Sequence, residues 1–165
     1  MPVRPAFELR AATWQDDRAG LQAVRRSVFI EEQSIPESEE WDDVDPVAYH
    51  VLALTGNRDA VGTGRLEPTG KIGRVAVLPQ YRGSGVGSLI MGHLVNQATE
   101  SGFTSVYLHA QAAAAGFYQR LGFRAVGPAF EEVGIPHLRM HLGIKRNNGH
   151  EAGSHEHEEH PLDAR

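Results

Sequence analysis

Arg74-Val-Ala-Val-Leu-Pro-Gln-Tyr-Arg-Gly-Ser-Gly-Val-Gly-Ser88 is the stretch on which the reading of this chain turns. Val75 to Leu78 form an apolar, strand-like run that stops at Pro79. A short basic, glycine-rich loop follows. From Gly85 onward Val86, Leu89, Ile90, Leu94 and Ala98 recur at helical spacing to about Ser101, and Gly102 supplies a stop. A strand, a glycine loop and a helix start bring backbone N–H groups together where they can meet a phosphate. The stretch therefore predicts a phosphorylated ligand.

Working outward, Phe7 to Ala11 alternates as a short strand. Thr13 is placed to cap the next helix, with Asp16 in the acidic capping position. Leu21, Val24 and Val28 mark one helical face, and the pattern ends near Gln33, before Pro36. Residues 34–47 read as an acidic loop. Tyr49 to Leu54 and Val61 to Leu66 read as paired strands about the turn at residues 55–59, and Pro68-Thr-Gly70 is a second turn leading into the strand that ends at Leu78. Beyond the helix, Ser105 to His109 reads as a strand and Ala112 to Leu121 as a short helix stopped by Gly122. Phe123 to Val126 and His137 to Leu142 read as two more strands. Helices interrupt the strand series, which predicts an α/β (α+β) fold, a mixed sheet with helices packed on it.

The chain has 165 residues, enough for one domain with a real hydrophobic core. It has no cysteine, which excludes disulfides, thiolate metal sites and a cysteine nucleophile and fits a cytoplasmic location. Met1 to Arg10 lacks the apolar core of a signal peptide, and no apolar run approaches the roughly 18–20 residues that span a bilayer. A formal charge of −5 argues against general nucleic-acid affinity. The expected partner is thus a small molecule, not nucleic acid or membrane. Oligomeric state is left open, a homodimer included.

Between Arg26 and Arg58 there is no Lys or Arg, yet Glu31, Glu32, Glu37, Glu39, Glu40, Asp42, Asp43 and Asp45 all fall there. Such a run reads first as a solvated acidic loop. Its functional alternative is an acidic rim that attracts a cationic acceptor such as an amine. From about Lys145 the chain turns Asn-, Gly-, His- and Glu-rich and reads as a disordered tail. This divides the chain into a domain over 1–144 and a tail over 145–165. His150, His155, His157 and His160 lie in that tail, and without preformed geometry they make a poor metal site. No metal is expected.

The glycine loop is neither of the two common nucleotide motifs. Gly85-Val-Gly87-Ser88 lacks the Gly-Lys-Ser/Thr ending of a P-loop. Gly83 and Gly85 begin a dinucleotide fingerprint, but its sixth position is Ser88 and no acidic residue closes the next strand. The wider constellation is more specific. Arg82-x-x-Gly85-x-Gly87 after Leu78-Pro79, together with Phe117-Tyr-Gln-Arg-Leu-Gly-Phe123, resembles the acyl-coenzyme A-binding core of the GNAT N-acetyltransferase superfamily. The resemblance covers about Phe7 to Leu142. Three further segments look like the superfamily's ElaA-type branch. They are Val28-Phe-Ile-Glu-Glu-Gln-Ser-Ile-Pro36 (with Glu40, Asp42, Asp45 and His50 beyond), Ala110-Gln111, and Gly134-Ile-Pro-His137 with Met140.

The resemblance implies a splayed sheet and acetyl-coenzyme A as cosubstrate. Amides of Arg82, Gly83, Ser84, Gly85, Val86, Gly87 and Ser88 would face the pyrophosphate at the helix N-terminus, with Arg82 forking onto phosphate oxygens. Val75, Ala76 and Val77 would pair with the pantetheine as an added strand does, and the Val77 N–H would stabilise the oxyanion. Gln111, where the superfamily often has asparagine, would orient pantetheine or tyrosine through its amide. Phe117 would pack beside the cofactor, and Tyr118 would protonate the departing thiolate, since a phenol stays protonated at neutral pH. Glu32 and Gln33 are assigned to acceptor binding. Glu32, His50, Glu67, His109 and His137 are candidate bases by residue type, and a water chain can replace any of them. The expected reaction is direct attack of a primary amine, most simply a small cationic one, on the acetyl thioester. Acetylation of a protein or peptide amine and a non-catalytic acyl-coenzyme A-binding module are the alternatives.

Overall fold

A computed structural model describes residues 6–144. The tail at 145–165, with its histidines and the proposed domain boundary, lies outside the described residues. The chain order is strand β1 (Glu8–Ala12), helix α1 (Trp14–Arg25), the short helix α2 (Glu37–Glu40), strands β2 (Tyr49–Leu54), β3 (Ala60–Leu66) and β4 (Lys71–Val77), helix α3 (Val86–Glu100), strand β5 (Ser105–Gln111), helix α4 (Ala115–Arg120), and strands β6 (Arg124–Ala125), β7 (Phe130–Glu132) and β8 (Ile135–Gly143). The sheet runs β1-β2-β3-β4-β5-β8-β6, and β7 also pairs with β8. Every pairing is antiparallel except the parallel one between β4 and β5. This is the expected mixed sheet flanked by helices.

Period-two alternation gives each central strand two buried faces. On β2, Val51 and Ala53 join the core beneath α3, whereas Leu52 and Leu54 pack with Trp14 and Leu21 of α1. The α3 core includes Val86, Ile90, Met91 and Leu94, together with Val106, Leu108 and Ala110 of β5. Burying each such side chain contributes about 1.5–3 kcal/mol. Helix α3 comes close because Gly62 and Gly64 of β3 carry no side chain. A Cβ on Gly64 would lie 2.8 Å from a Leu94 methyl carbon and 2.9 Å from one of Ile90.

Several expectations need correction. The Thr13 hydroxyl does accept from the Asp16 N–H, but the reciprocal carboxylate is Asp17, whose Oδ2 accepts from the Thr13 N–H at 2.9 Å. Asp17 is also paired with Arg10, which fixes its rotamer. The first helix reaches Gln33 as expected, but its last part, Arg26–Glu32, is a π-helix in which the Gln33 N–H bonds to Val28 O. The acidic segment 34–47 is not a solvated loop. It contains α2, and Glu40 and Asp45 are buried. The segment after β5 opens as a 3₁₀ turn, Ala112–Ala114, before α4. The strand expected at Phe123 to Val126 shrinks to β6. Strand β7 was not anticipated, because three residues are too few to show periodicity.

Candidate active site

The site forms where β4 leaves β5. The two strands pair only at Lys71–Tyr107 and Ile72–Leu108, after which they diverge. A bulge in β4 helps turn it away: Thr63 faces Ala76 but Arg65 faces Gly73, so β4 holds an extra residue. Arg74, within the bulge, adopts the left-handed φ of 51°, a conformation that costs about 1–3 kcal/mol for a non-glycine residue. Beyond the bulge the Leu78 N–H bonds to Val61 O at 2.9 Å. The neighbouring pair Gly62–Val77 is therefore of the open type. Its alternation aims the Val77 N–H and C=O away from β3, toward the divergence.

A cavity of about 670 Å³ fills this gap. Of the residues singled out from sequence, Val75, Ala76, Val77, Arg82, Gln111, Phe117, Tyr118 and Gln33 line it. Gly83 to Ser88 form the loop and first turn at the start of α3, where Gly83 (φ 79°) and Gly85 (φ 87°) take left-handed backbone that favours glycine. The residue before α3, Gly85, has no side chain with which to cap the helix start. The Ser84 hydroxyl donates to Tyr81 O.

Arg82 does not reach free into the loop. Its fork donates to both oxygens of Glu32 at 2.7 and 2.6 Å, and its Nε donates to Val77 O at 3.0 Å. Glu32, assigned from sequence to the acceptor, thus meets Arg82, which lowers its pKa. Gln33, carried inward by the π-helix, accepts from Gln111 Nε2 at 2.7 Å. Tyr118 packs edge-to-face on Phe117 and Phe123, and burial pushes its phenol up to about 12. A phenol so placed holds its proton and can donate it.

One wall of the cavity is built on a charge cluster that the sequence did not reveal. Arg25 is fully buried, with its guanidinium over the rings of both Trp14 and Trp41. It donates to Glu40 Oε1 at 2.9 Å and to Asp45 Oδ1 at 2.6 Å. Arg65 reaches Asp42 and Asp45 at 2.7 and 2.8 Å. Arg74 approaches Glu40 and Asp42, each at 3.3 Å. Burial alone would raise Asp42, but hydrogen bonds and charge from Arg65 outweigh it and hold the carboxyl at about 2. Burial wins at Glu40, whose pKa rises in spite of Arg74 and Arg25. The only sign of this cluster in the sequence was an acidic run with no local cations. The answering arginines come from α1, β3 and β4.

The candidate bases separate. His50 lies outside the cavity, stacked on Trp14, with its Nε2–H given to Asp45 O at 2.8 Å. Glu67, His109 and His137 line the cavity, as does Glu132, which the sequence did not single out.

Comparison with known proteins agrees with this geometry. Residues 11–144 match the family model for an acetyltransferase (GNAT) domain. The chain is 37% identical over 121 residues to the uncharacterized N-acetyltransferase YjcF of Bacillus subtilis (strain 168), covering 71% of this chain and 86% of YjcF. It is 36% identical over 129 residues to protein ElaA of Escherichia coli (strain K12), covering 73% of this chain and 83% of ElaA. The crystal structure of Escherichia coli ElaA superimposes with a TM-score of 0.74 at 30% identity, over 82% of this chain and 99% of that one. An acyl-CoA N-acyltransferase from Pseudomonas aeruginosa superimposes with a TM-score of 0.73, also at 30% identity, over 82% of this chain and 99% of that one. The splayed strands, the glycine loop and these likenesses lead to one conclusion: the chain belongs to the GNAT acetyltransferase family, in its ElaA-type branch, and is an N-acetyltransferase.

Proposed function

We propose that this enzyme moves an acetyl group from acetyl-coenzyme A to a small primary amine, by direct attack of the amine on the thioester. The observation that carries the reading is the cavity between β4 and β5, which gathers Tyr118, the outward-facing backbone of Val77 and the charged wall. The start of α3, with Gly83 and Gly85 in left-handed backbone, fits a pyrophosphate, because the glycines allow close backbone approach and the helix dipole favours negative charge. Acetyl-coenzyme A, when bound, supplies the activated acetyl carbonyl. Val75 to Val77 are the edge against which pantetheine amides pair, the Val77 N–H donates to the developing oxyanion, and Tyr118 protonates the sulfur.

Arg82 serves this reading by reaching a phosphate only once it lets go of Glu32. Released, Glu32 is a carboxylate for the acceptor ammonium. The carboxylates of Glu40 and Asp42 are taken up by arginines, so on the cavity wall it is Glu39 that supports a cationic acceptor among the residues of the acidic run.

The test is a calorimetric titration with acetyl-coenzyme A, followed by an amine screen that reads free thiol. Binding is expected, and none at millimolar ligand ends the proposal. Tyr118→Phe should lower kcat by about 10²-fold or more while acetyl-coenzyme A affinity stays nearly constant, because it removes a proton donor and little contact area. An unchanged kcat with chemistry limiting would remove Tyr118 from the acid role.

A further inference from the structure

The reaction needs a group to take a proton from the ammonium, and the chemistry of the cavity wall narrows the choice. Glu40 and Asp42 are held by Arg25, Arg65 and Arg74. Tyr118 keeps its proton. His137 gives its Nδ1–H to Ile135 O at 2.7 Å and is buried, and its Nε2 lone pair faces the Glu132 carboxylate at 3.7 Å, which blocks an ammonium from reaching it. His109 is different. Its Nδ1 lies 3.3 Å from Glu132 Oε1, and a carboxylate can only accept there, so the proton sits on Nδ1. Nε2 then carries the lone pair, with no partner among the described residues. His109 shares its face of β5 with Gln111, opposite the core face of Leu108 and Ala110. Phe130 packs edge-on against its ring at 5.0 Å.

We propose that His109 Nε2 takes the proton from the acceptor ammonium, with Glu132 as the positioning residue that holds the ring in the tautomer with Nε2 free. The proposal rests on the acetyl-transfer reading above. The ammonium gives one proton to Nε2. The freed amine lone pair forms the N–C bond, and the C–S electron pair leaves on sulfur, which takes the Tyr118 proton. The second N–H proton restores Tyr118 through solvent, and His109 releases its own proton to solvent, so the net yield is amide, thiol and one proton. The charged and titratable groups around His109 are Lys71 from β4, Glu132 from β7, His137 and Arg139 from β8, and Tyr107 on its own strand. Burial and then Lys71 lower its pKa below the usual 6.5, while Glu132 opposes them. A neutral ring at pH 7 is the form a base requires.

The experiment compares ethylamine with 2,2,2-trifluoroethylamine, which is already neutral at pH 7, at saturating acetyl-coenzyme A with thiol release as the readout. His109→Gln should lose about 10²-fold in kcat/KM for ethylamine and less than about tenfold for the fluorinated amine. Acetyl-coenzyme A affinity and melting temperature should stay close to wild type. Glu132→Gln removes the charge that favours imidazolium, so the acid limb of the rate profile should move to lower pH, a shift that a structural role would not produce. Equal losses on both amines, or an acid limb that stays in place, would overturn the assignment. Long-range ¹H–¹⁵N NMR of the histidine rings tests the tautomer without any acceptor. A neutral Nδ1–H ring at His109 supports the base, and an Nε2–H or cationic ring at pH 7 sinks it. If wild-type enzyme binds acetyl-coenzyme A but acetylates neither amine, it is the small-amine reading that fails, and the ring tautomer still decides the base.

Discussion

Arg25 carries the strongest obligation of any single residue. It is buried against two indoles, and Glu40 and Asp45 are buried with it. Removing one member of such a group leaves charge without compensation. Arg25→Met should therefore cost about 3–5 kcal/mol, read as a lower urea midpoint. Arg26, next in sequence, pairs with Glu37 on the surface. Arg26→Ala should leave the midpoint nearly unchanged, since solvent screens exposed pairs. A similar midpoint for the two variants would remove the buried cluster from its structural role. The acidic run was plain in the sequence, but the fate of its charges was not. Residues 25, 65 and 74 are far apart along the chain, and no local pattern links them.

At the scale of elements, the approach of α3 to β3 is set by missing atoms. Gly64→Ala places a Cβ within 2.9 Å of Leu94 and Ile90 side-chain carbons and should destabilise by about 1–3 kcal/mol. Gly92 lies in the same helix, exposed, with nothing within 4 Å of an added Cβ. Gly92→Ala should stabilise by about 0.5–1 kcal/mol through reduced chain entropy. Opposite signs for the same substitution, measured by thermal unfolding, test the packing of this interface. Equal effects would show that helix propensity, not contact, governs both. Most elements were legible because periodicity and caps act within a few residues. The exceptions were α2 and β7, and the expected strand at β6 came out shorter, all pieces so short that their partners, not their own propensities, define them.

For the whole molecule, acid should act in two stages. The folded state lowers the pKa of His50 and of His109 below 6.5, chiefly by burial. The unfolded chain thus binds those protons first, and stability falls as pH drops below that value. Asp42 is held at about 2 against an ordinary 3.8. Its contribution is complete above 3.8 and is lost as pH falls toward 2. Urea midpoints should decline gently from pH 7 to 5 and more steeply below 4, and Asp42→Asn should flatten the lower stage. A midpoint constant from pH 7 to 3 would contradict both assignments.

What the sequence determined by itself was the strand, glycine loop and helix start of residues 74–88, the Thr13 cap, the acidic run and, through Phe117 to Phe123, the family. These are set by backbone preference and spacing over short distances, which a linear pattern preserves. Only the tertiary structure decided that Arg82 meets Glu32, that Gln33 meets Gln111, that arginines from α1, β3 and β4 answer the acidic segment, and that His109 meets Glu132. Each of those pairs joins elements distant in sequence. Their meeting depends on sheet register and on the bulge that turns β4 from β5, neither of which is written in local propensity.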